Sequence, residues 1–382
     1  MTLPHTILQI IPKLETGGAE RTTVDLTAAL TAEGWRALVV SEGGRMVGEL
    51  EAAGGEHIVM RTASKSPLAI LANAFRLRGI IARRKVTLVH ARSRAPAWSA
   101  LIAARLAGVS FVTTYHGIYH SGNTAKHLYN SVMVKGDAVI ANSEWTAERI
   151  RAEFRRVPKR LAVIPRGVDL EVFDPAAVAP ERIAKLRSQW GAGEGELVVL
   201  LPGRLTRWKG QGVLIEALAG MRRAGKLVRL MAVLAGDAQG RDSYAAELRH
   251  AIGDSGLQNI VALPGHVSDM AAAYLAADIV ISASTKPEPF GRVPVEAGAM
   301  GRPVIATDHG GARETVIGDV TGMLIPPCDA SALAAALERL IALGPEGRAA
   351  MGAKARAHMR EHFSRERMCA DTIALYRDVL GG

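Results

Sequence analysis

Short apolar runs alternate with longer stretches of helical periodicity along the whole chain. The first half holds seven runs: Ile7–Ile11, Ala37–Ser41, His57–Met60, Val86–His90, Phe111–Tyr115, Ala138–Ala141 and Leu161–Ile164. The second half holds six: Leu197–Leu201, Val228–Ala235, Ile260–Leu263, Ile279–Ser282, Pro303–Ala306 and Met323–Ile325. Such runs, apolar at odd and even positions, are typical of strands covered on both faces. Helical patterns between them, such as Ala19–Glu33 and Trp98–Ala107, therefore predict βαβ units and parallel sheets.

The alternation is interrupted between Pro165 and Trp190, where a segment rich in Pro, Asp and Gly leads into a helix. A chain of 382 residues is long for one α/β domain and suits two, each with its own core. We therefore predict one domain over residues 1–170 and a second over 171–364. The segment from Ser331 to Leu380 is predicted to be wholly helical.

Composition favours a globular protein of a reducing compartment. Hydrophobic residues make up 48% and charged residues 22% of the chain, and only two cysteines occur, Cys328 and Cys369. The sequence begins without a basic, leader-like segment, and no apolar stretch reaches the roughly 20 residues of a membrane span. We therefore expect a cytoplasmic protein.

The positive charge is concentrated in the first half. The net charge is +10, and residues 171–382 contribute none of it, with 24 basic and 24 acidic side chains. Residues 57–136 contain 12 Lys or Arg and no Asp or Glu. This block predicts an anionic partner, such as phosphates, nucleic acid or an acidic lipid surface, although a solvated basic face is the alternative. Seven residues of this block are singled out as candidates for that contact: Arg76, Arg78, Arg83, Arg84, Lys85, Arg92 and Arg94. Outside the block, Arg149, Arg151, Arg155, Arg156, Lys159 and Arg160 could extend the patch.

A glycine pair follows the first predicted strand. In the sequence Thr16-Gly17-Gly18-Ala19, the two glycines allow a tight turn and a close approach of a ligand to the backbone. The helix that follows offers free N–H groups and its positive dipole end to a phosphate. No third glycine completes a dinucleotide fingerprint, which counts against a nicotinamide-dependent oxidoreductase.

Two cations follow the first strand of the second half. Arg204 and Lys209 lie on a loop flanked by Gly203 and Gly210, directly before a helix. Arginine offers a bidentate fork and lysine a point charge, so the pair can clamp a diphosphate at the end of a strand. A pair of exposed basic residues without a ligand is the alternative.

Two carboxylates separated by seven residues follow the strand Ile279–Ser282. Glu288 is in a loop rich in Pro and Gly, and Glu296 is predicted in the first turn of a helix, where the helix dipole favours a carboxylate. The backbone amides near Phe290, Gly291 and Arg292 can bind phosphate or sugar oxygens. A capped helix with two exposed acids is the alternative.

The remaining candidate is His116, which follows the strand Phe111–Tyr115 and precedes Gly117, where it can donate to a substrate oxygen. The sequence contains neither an HExxH nor a CxxC motif, and no Asp-x-Asp pair that could hold a metal–diphosphate. We therefore expect no metal and no other cofactor, with positive charge supplied by Arg204, Lys209 and helix ends.

Together and in this order, these segments resemble the family-4 retaining glycosyltransferases of the GT-B fold over nearly the whole chain. The Glu288-to-Glu296 block within Pro289-Phe290-Gly291 is the most specific of them. The others are Gly17-Gly18, Thr114-Tyr115-His116-Gly117, Asn142-Ser143-Glu144-Trp145-Thr146, Val163-Ile164-Pro165-Arg166-Gly167-Val168-Asp169, Gly203-Arg204, Lys209-Gly210, Gly265-His266-Val267, Gly301-Arg302-Pro303-Val304-Ile305-Ala306 and Gly310-Gly311.

This resemblance implies two Rossmann-like domains facing across a cleft, with residues 365–382 forming a helix that crosses back to the first domain. The second domain would bind a UDP- or GDP-linked sugar, and the first a glycan or lipid-linked acceptor. Transfer would proceed with retention and without a protein nucleophile, so Glu288 is not assigned as one.

The resemblance also assigns residues. Catalytic roles fall to His116, Arg204, Lys209 and Glu288, with Arg204 and Lys209 on the diphosphate and Glu288 on the hexose. Glu296 takes the ribose hydroxyls. The rest of the donor site comprises Gly17, Gly18, Gly203, Gly265, His266, Val267, Phe290, Gly291, Arg292 and Val293. The family usually has Asn where this chain has Arg166, so the role of that side chain is left open.

The basic first half suggests a lipid-linked or lipopolysaccharide-type acceptor at the inner face of the cytoplasmic membrane. The alternatives are a GT-B enzyme that makes a small soluble glycoside, a nucleic-acid-binding module and an inactive scaffold. Aromatic residues make up only 4% of the chain, which argues against a stacking platform for nucleic acid.

Overall fold

The structure is a computed structural model that describes residues 5–15, 17–117, 119, 122–154, 158, 160–240 and 242–381. Thr16, Arg155, Arg156 and Lys159, named above, lie outside the described residues. The chain divides into two compact units, each described by itself below. Unit 1 comprises Met1–Gly167 with Arg365–Gly382, and unit 2 comprises Val168–Ser364.

Each unit is built on one parallel sheet. The strands of unit 1 are β1 (Thr6–Ile10), β2 (Arg36–Ser41), β3 (Glu56–Val59), β4 (Leu88–Ala91), β5 (Ser110–Tyr115), β6 (Ala138–Ala141) and β7 (Leu161–Val163). Their order in the sheet is β3-β2-β1-β4-β5-β6-β7. The strands of unit 2 are β8 (Leu197–Pro202), β9 (Leu230–Ala235), β10 (Val261–Gly265), β11 (Ile279–Ser282), β12 (Val304–Thr307) and β13 (Gly322–Ile325), in the order β10-β9-β8-β11-β12-β13.

Helices connect the strands. They are α1 (Gly18–Ala32), α2 (Val47–Ala52), α3 (Pro67–Arg84), α4 (Arg94–Ala107), α5 (Thr124–Asn130), α6 (Glu144–Glu153), α7 (Pro180–Gln189), α8 (Gln211–Arg223), α9 (Asp242–Asp254), α10 (Met270–Ala276), α11 (Arg292–Ala299), α12 (Ala312–Thr315), α13 (Ala330–Ala342), α14 (Gly344–His362) and α15 (Arg365–Gly381). Short 3-10 helices cover Ser131–Val134, Pro175–Ala177 and Arg207–Lys209.

The predicted strands are confirmed, with ends that shift by one or two residues. All five residues of β1 are buried, as are all six of β9. Burial at odd and even positions follows from helices covering both faces of each sheet, as the apolar runs predict. The implied fold class is therefore confirmed: each unit is built on a parallel sheet covered by helices, as in the GT-B fold.

The C-terminal region is helical, as predicted, apart from two short breaks. It forms α13, α14 and α15, with breaks at Leu343 and at Phe363-Ser364. Gly344 adopts a positive φ of 67°, and Pro345 follows it in the first turn of α14. A left-handed residue ends one helix, and proline is accepted at the start of the next. Helix α4 begins at Arg94, four residues earlier than predicted.

The last helix belongs to unit 1. Met368, Ile373 and Tyr376 of α15 are buried in one cluster with Ile7 of β1 and Leu26 of α1. Residues more than 300 positions apart therefore share one core. The side chains of α15 also reach the polar residues at the carboxyl ends of the strands in unit 1.

Candidate active site

Lys209 and Glu288 are brought together at the carboxyl edge of the sheet in unit 2. Lys209 follows β8 and Glu288 follows β11, and these strands are neighbours. The Lys209 ammonium donates to both Glu288 oxygens, at 2.8 and 2.9 Å. The Ser284 hydroxyl donates to Oε1 of the same carboxylate. The two motifs singled out from the sequence thus form one partly buried ion pair at the edge where ligands of parallel sheets bind.

Glycines set the backbone that carries Lys209. Gly210 has a φ of 82°, and a Cβ at this position would lie 1.9 Å from the Ala283 carbonyl oxygen. A side chain is therefore excluded by both conformation and space. This close approach places the loop after β8 directly against the loop after β11.

Glu296 is held by two partners rather than by a helix dipole. Helix α11 begins at Arg292, so Glu296 is its fifth residue and lies beyond the first turn, contrary to the sequence prediction. Its Oε1 pairs with Arg292 at 2.6 Å, and its Oε2 accepts from the Tyr274 hydroxyl at 2.8 Å. Burial, reinforced by the Glu296 charge, holds the pKa of Tyr274 well above its usual value, so the phenol remains a donor.

Tyr274 and Ser284 were missed by sequence reasoning. Tyr274 lies in the alanine-rich helix α10, and its side chain is fully buried. A single aromatic residue in an apolar helix has the sequence signature of core, so no local pattern indicated a polar role. Ser284 is two residues beyond β11, and its hydrogen bond to Glu288 places it in the candidate site.

The other donor-site candidates of unit 2 differ in exposure. Arg204, His266 and Arg292 have exposed side chains, and Val293 and Val267 are half-buried. Phe290 is buried against Phe363, with ring centroids 6.0 Å apart, so this loop residue can offer a ligand only its backbone. The backbone of Gly265 and of Gly291 has a positive φ.

Gly310 and Gly311 support the loop that carries Glu288. The Gly311 amide donates to the Glu288 carbonyl at 2.9 Å. A Cβ on Gly310 would lie 2.3 Å from that same carbonyl oxygen. The segment after β12 therefore packs against the Glu288 backbone and holds this loop in position at the sheet edge.

In unit 1, His116 follows β5 and contacts Arg166, which follows β7. Arg166 Nη2 lies 3.2 Å from His116 Nδ1. A Cβ on Gly18 would lie 2.5 Å from Arg166 Nη1, so the guanidinium also packs on the glycine turn at the start of α1. Three separate sequence segments thus meet at the carboxyl edge of this sheet.

Beneath them lies a buried polar network. His90 contacts the Tyr376 hydroxyl through Nδ1 and the Thr114 hydroxyl through Nε2, the latter at 2.7 Å. The pKa of His90 is held well below its usual value, first by burial and then by the charge of Arg92 and the nearby His116. The ring is therefore neutral and bridges β4, β5 and α15.

The prediction for Arg92 was wrong. This residue was predicted as part of an exposed basic surface, but its side chain is only 3% exposed and its Nε donates to Gln9 Oε1 at 2.8 Å. A buried guanidinium that is hydrogen-bonded inside the sheet cannot contact a membrane. Arg94 is half-buried, with its guanidinium 4.0 Å from the centre of the Tyr119 ring.

Helix α3 carries the exposed basic residues Arg76, Arg78, Arg83 and Arg84, and Lys85 follows it. It also exposes three apolar side chains, with Leu68 80%, Leu71 47% and Phe75 55% accessible. Its buried face is formed by Asn73, Ala74, Leu77, Ile80 and Ile81. The outward face of α3 therefore combines apolar and basic groups.

Within the described ranges, no group of three or more His, Cys, Asp or Glu side chains is arranged to hold a metal ion. Among the helices of those same ranges, none combines the length and the apolar character needed to cross a membrane. The expectation of metal independence stays a prediction.

Two family models match the chain. Residues 16–172 match the model described as Glycosyltransferase Family 4, and residues 182–358 match the model described as Glycosyl transferases group 1. The two matches follow one another along the chain in the order of its two units.

Solved structures resemble the chain over its whole length. A glycosyltransferase from Rickettsia africae ESF-5 is 35% identical, with a TM-score of 0.91 and 99% of each chain covered. The Anabaena protein HepE, solved in complex with UDP-glucose, is 28% identical with a TM-score of 0.80, covering 97% of this chain and 99% of that one.

A curated relative, the D-inositol 3-phosphate glycosyltransferase of Paenarthrobacter aurescens (strain TC1), is 32% identical over 64% of this chain and 58% of its own length. The match thus spans little more than half of that relative. Taken with the family models and the full-length structural match, these findings show that the chain belongs to the family-4, group 1 glycosyltransferases of the GT-B fold.

Proposed function

We propose that the protein is a retaining glycosyltransferase that moves a hexose from a nucleoside-diphosphate sugar to a glycan or lipid-linked acceptor. The observation that carries this proposal is the Lys209–Glu288 ion pair at the carboxyl edge of the sheet in unit 2. Glu296, fixed by Tyr274 and Arg292, lies on the helix that follows the Glu288 loop. The UDP-glucose complex of HepE supports a donor of this class.

The proposed chemistry uses fixed positive charge. The bond between the anomeric carbon and the diphosphate oxygen breaks, and both electrons leave with the diphosphate. Lys209, Arg204 and the amides at the start of α8 stabilise that charge more strongly in the transition state than in the ground state. The acceptor hydroxyl forms the new bond on the same face, its proton passes to the departing phosphate oxygen, and configuration is retained.

In this proposal Lys209 exchanges partners. A phosphate oxygen competes with Glu288 for the ammonium, and the released carboxylate accepts from hexose hydroxyls. Glu296 accepts from the ribose hydroxyls with a carboxylate already oriented by Tyr274. No divalent ion is required, because the cations are supplied by side chains.

A panel of UDP- and GDP-linked sugars, scored by release of the nucleoside diphosphate in the presence of EDTA, tests this function. We expect turnover with EDTA present, and a roughly 10- to 100-fold weaker affinity for the donor in Glu296→Ala, since a hydrogen bond to a charged group is lost. Glu338→Ala is the matched control, because its carboxylate pairs with the exposed Lys226 and with none of the candidate donor-site residues that the structure describes. Unchanged donor affinity in Glu296→Ala, or turnover abolished by EDTA and restored by Mg²⁺, would contradict the proposal.

The acceptor is proposed to be reached at an anionic membrane surface in the cytoplasm. At 100° per residue, Leu68, Leu71 and Phe75 lie on the side of α3 opposite its buried face. Arg78 flanks this stripe on one side, and Arg76 and Arg83 on the other. An apolar stripe between basic borders is typical of helices that lie in the plane of a bilayer surface.

The triple variant Arg76→Gln, Arg78→Gln and Arg83→Gln is expected to bind phosphatidylcholine vesicles containing phosphatidylglycerol roughly 100-fold more weakly than the parent, at about 1 kcal/mol per cation. Sedimentation with vesicles measures this. The control is the triple variant Arg222→Gln, Arg223→Gln and Arg249→Gln, at exposed positions of unit 2. It also removes three positive charges and should leave vesicle binding unchanged. Equal loss in both variants, or parent binding that is insensitive to salt and to phosphatidylglycerol, would exclude the surface.

A small soluble acceptor is the second candidate. It is favoured by the curated relative named as acting on D-inositol 3-phosphate. Basic residues of unit 1 suit a phosphorylated acceptor as well as an acidic lipid. Transfer to soluble sugar phosphates in the absence of any lipid, at a rate that vesicles do not increase, would favour this candidate.

A further inference from the structure

Arg166 lies between His116 and Gly18 in unit 1, a contact that the sequence did not predict. The guanidinium lies between two features of the candidate site, with Nη2 3.2 Å from His116 Nδ1 and Nη1 against Gly18. The close approach to Gly18 requires the absence of a Cβ there, since that atom would lie 2.5 Å from Nη1. The glycine turn therefore leaves room for Arg166 to reach the histidine.

The chemistry of this contact fixes the proton on the ring. A guanidinium carries only donors and stays protonated in proteins. His116 Nδ1 must therefore accept, which leaves the single proton of the neutral ring on Nε2. His116 Nε2 is buried and has no hydrogen-bond partner among the residues that the structure describes.

We propose that Arg166 is a positioning residue that holds His116 as the neutral Nε2–H tautomer, so that this N–H binds one oxygen of the substrate. The assignment of what the N–H binds rests on the proposed function. The tautomer itself depends only on the Arg166 contact. Arg166 thus acts through His116 and not on the reacting atoms.

A small cavity beside the ring supports the assignment. Its volume is about 20 Å³, enough for one oxygen atom such as that of a water or a substrate group, and Arg92, His116, Asn142 and Arg166 are among the residues that line it. The side chain of Asn142 is 1% exposed, and its Nδ2 also lacks a hydrogen-bond partner within the described part of the chain. Its Oδ1 accepts from Thr146 at 2.8 Å, so the amide presents its N–H₂ group as a donor. These groups supply donors and no carboxylate, which suits an oxygen with free lone pairs.

The electrostatics agree with this geometry. Burial first, and then the charges of Arg166 and Arg92, hold the pKa of His116 well below its usual value. A neutral ring can accept from Arg166 and donate through Nε2 at the same time. A protonated ring could not accept from it.

The tautomer is tested by ¹⁵N NMR of the full chain labelled at histidine, with His116→Gln to assign the signal. In the parent we expect His116 Nδ1 to show the shift of an unprotonated nitrogen and Nε2 that of a protonated one. No titration is expected near the ordinary histidine pKa. Arg166→Asn should mix the tautomers and raise the His116 pKa, because the nearby positive charge is gone.

Three further variants separate positioning from folding. Arg166→Lys retains a cationic donor and should keep the parent tautomer. Gly18→Ala should shift the signal toward that of Arg166→Asn, because its Cβ displaces the guanidinium without touching the ring. Arg36→Asn removes an exposed cation of the same unit, at the first residue of β2, and should leave the His116 signal unchanged. Melting temperatures check that each variant folds.

Activity provides the second measurement. Release of nucleoside diphosphate from the best donor should fall about 10-fold in Arg166→Asn and be partly retained in Arg166→Lys. A parent protein with the proton on Nδ1, or an Arg166→Asn spectrum identical to the parent, would overturn the tautomer assignment whatever the activity. A changed spectrum with unchanged turnover would overturn the role of the N–H while leaving the ion-pair chemistry of unit 2 untouched.

Discussion

Replacing Lys209 by methionine is expected to lower kcat/KM for nucleotide-sugar turnover by about 100- to 1,000-fold, the usual cost of losing one fixed group that stabilises a developing negative charge. Methionine keeps a flexible apolar side chain beside Gly203, where the methylene groups of Lys209 lie. The loss is therefore electrostatic and not a loss of packing. Steady-state release of nucleoside diphosphate measures it, together with the affinity for UDP.

The same substitution leaves Glu288 without its cation, so a second variant must separate two causes. When Lys209 is removed, the Glu288 carboxylate keeps the hydrogen bond from the Ser284 hydroxyl. If an unpaired carboxylate were the whole cause, the double change Lys209→Met with Glu288→Gln would restore the affinity for UDP, which lacks the hexose that Glu288 contacts in the proposal. We expect no restoration, because the diphosphate still lacks its ammonium. Lys226→Met, an exposed lysine paired with Glu338, is the matched control and should retain full activity.

The second large effect concerns stability. Gly210→Ala is expected to lower the free energy of unfolding by about 3 kcal/mol, because alanine is strained at a φ of 82° and its Cβ would lie 1.9 Å from the Ala283 carbonyl oxygen. The loops after β8 and β11 must then separate. Denaturant titration gives the free energy, and the separation should also weaken the Lys209–Glu288 pairing.

Gly212→Ala provides a control of opposite sign two residues further along. Gly212 is the second residue of α8, is exposed and has no positive φ, and a Cβ built on it would meet no described atom within 4 Å outside the adjacent residues and the helix's own backbone. Alanine favours helix over glycine by about 1 kcal/mol in a helix interior and by less in the first turn, so this variant should be slightly more stable than the parent. If both substitutions changed stability alike, the close approach of the two loops would not be a constraint on position 210.

The sequence located the segments of the site more reliably than the interactions within them. Glu288, Glu296, Arg204 and Lys209 could be named as candidates because their spacing is local and their strand-end positions follow from the alternating pattern. The reason given for Glu296 was wrong, since α11 begins only at Arg292 and the partners of its carboxylate are Arg292 and Tyr274. Tyr274 is 22 positions away on another helix, beyond any local periodicity.

The charge distribution along the sequence also did not show which basic side chains face outward. The acid-free basic block was read as one surface, although Arg92 lies at the end of β4 and is turned into the sheet toward Gln9. Arg76, Arg78 and Arg83 are outward on α3. Sequence composition reports that cations are present, but the direction of each side chain depends on the element that carries it.

Sequence alone determined the two parallel sheets, their strands and the loops that carry the candidate groups, because burial on both faces imposes apolar runs that can be read one segment at a time. Only the tertiary structure decided which groups meet: Lys209 with Glu288, Tyr274 with Glu296, and Arg166 with His116. These pairs join the carboxyl ends of different strands or the side chains of different helices. Contacts of this kind depend on strand order and close backbone approach, which no local pattern of residues records.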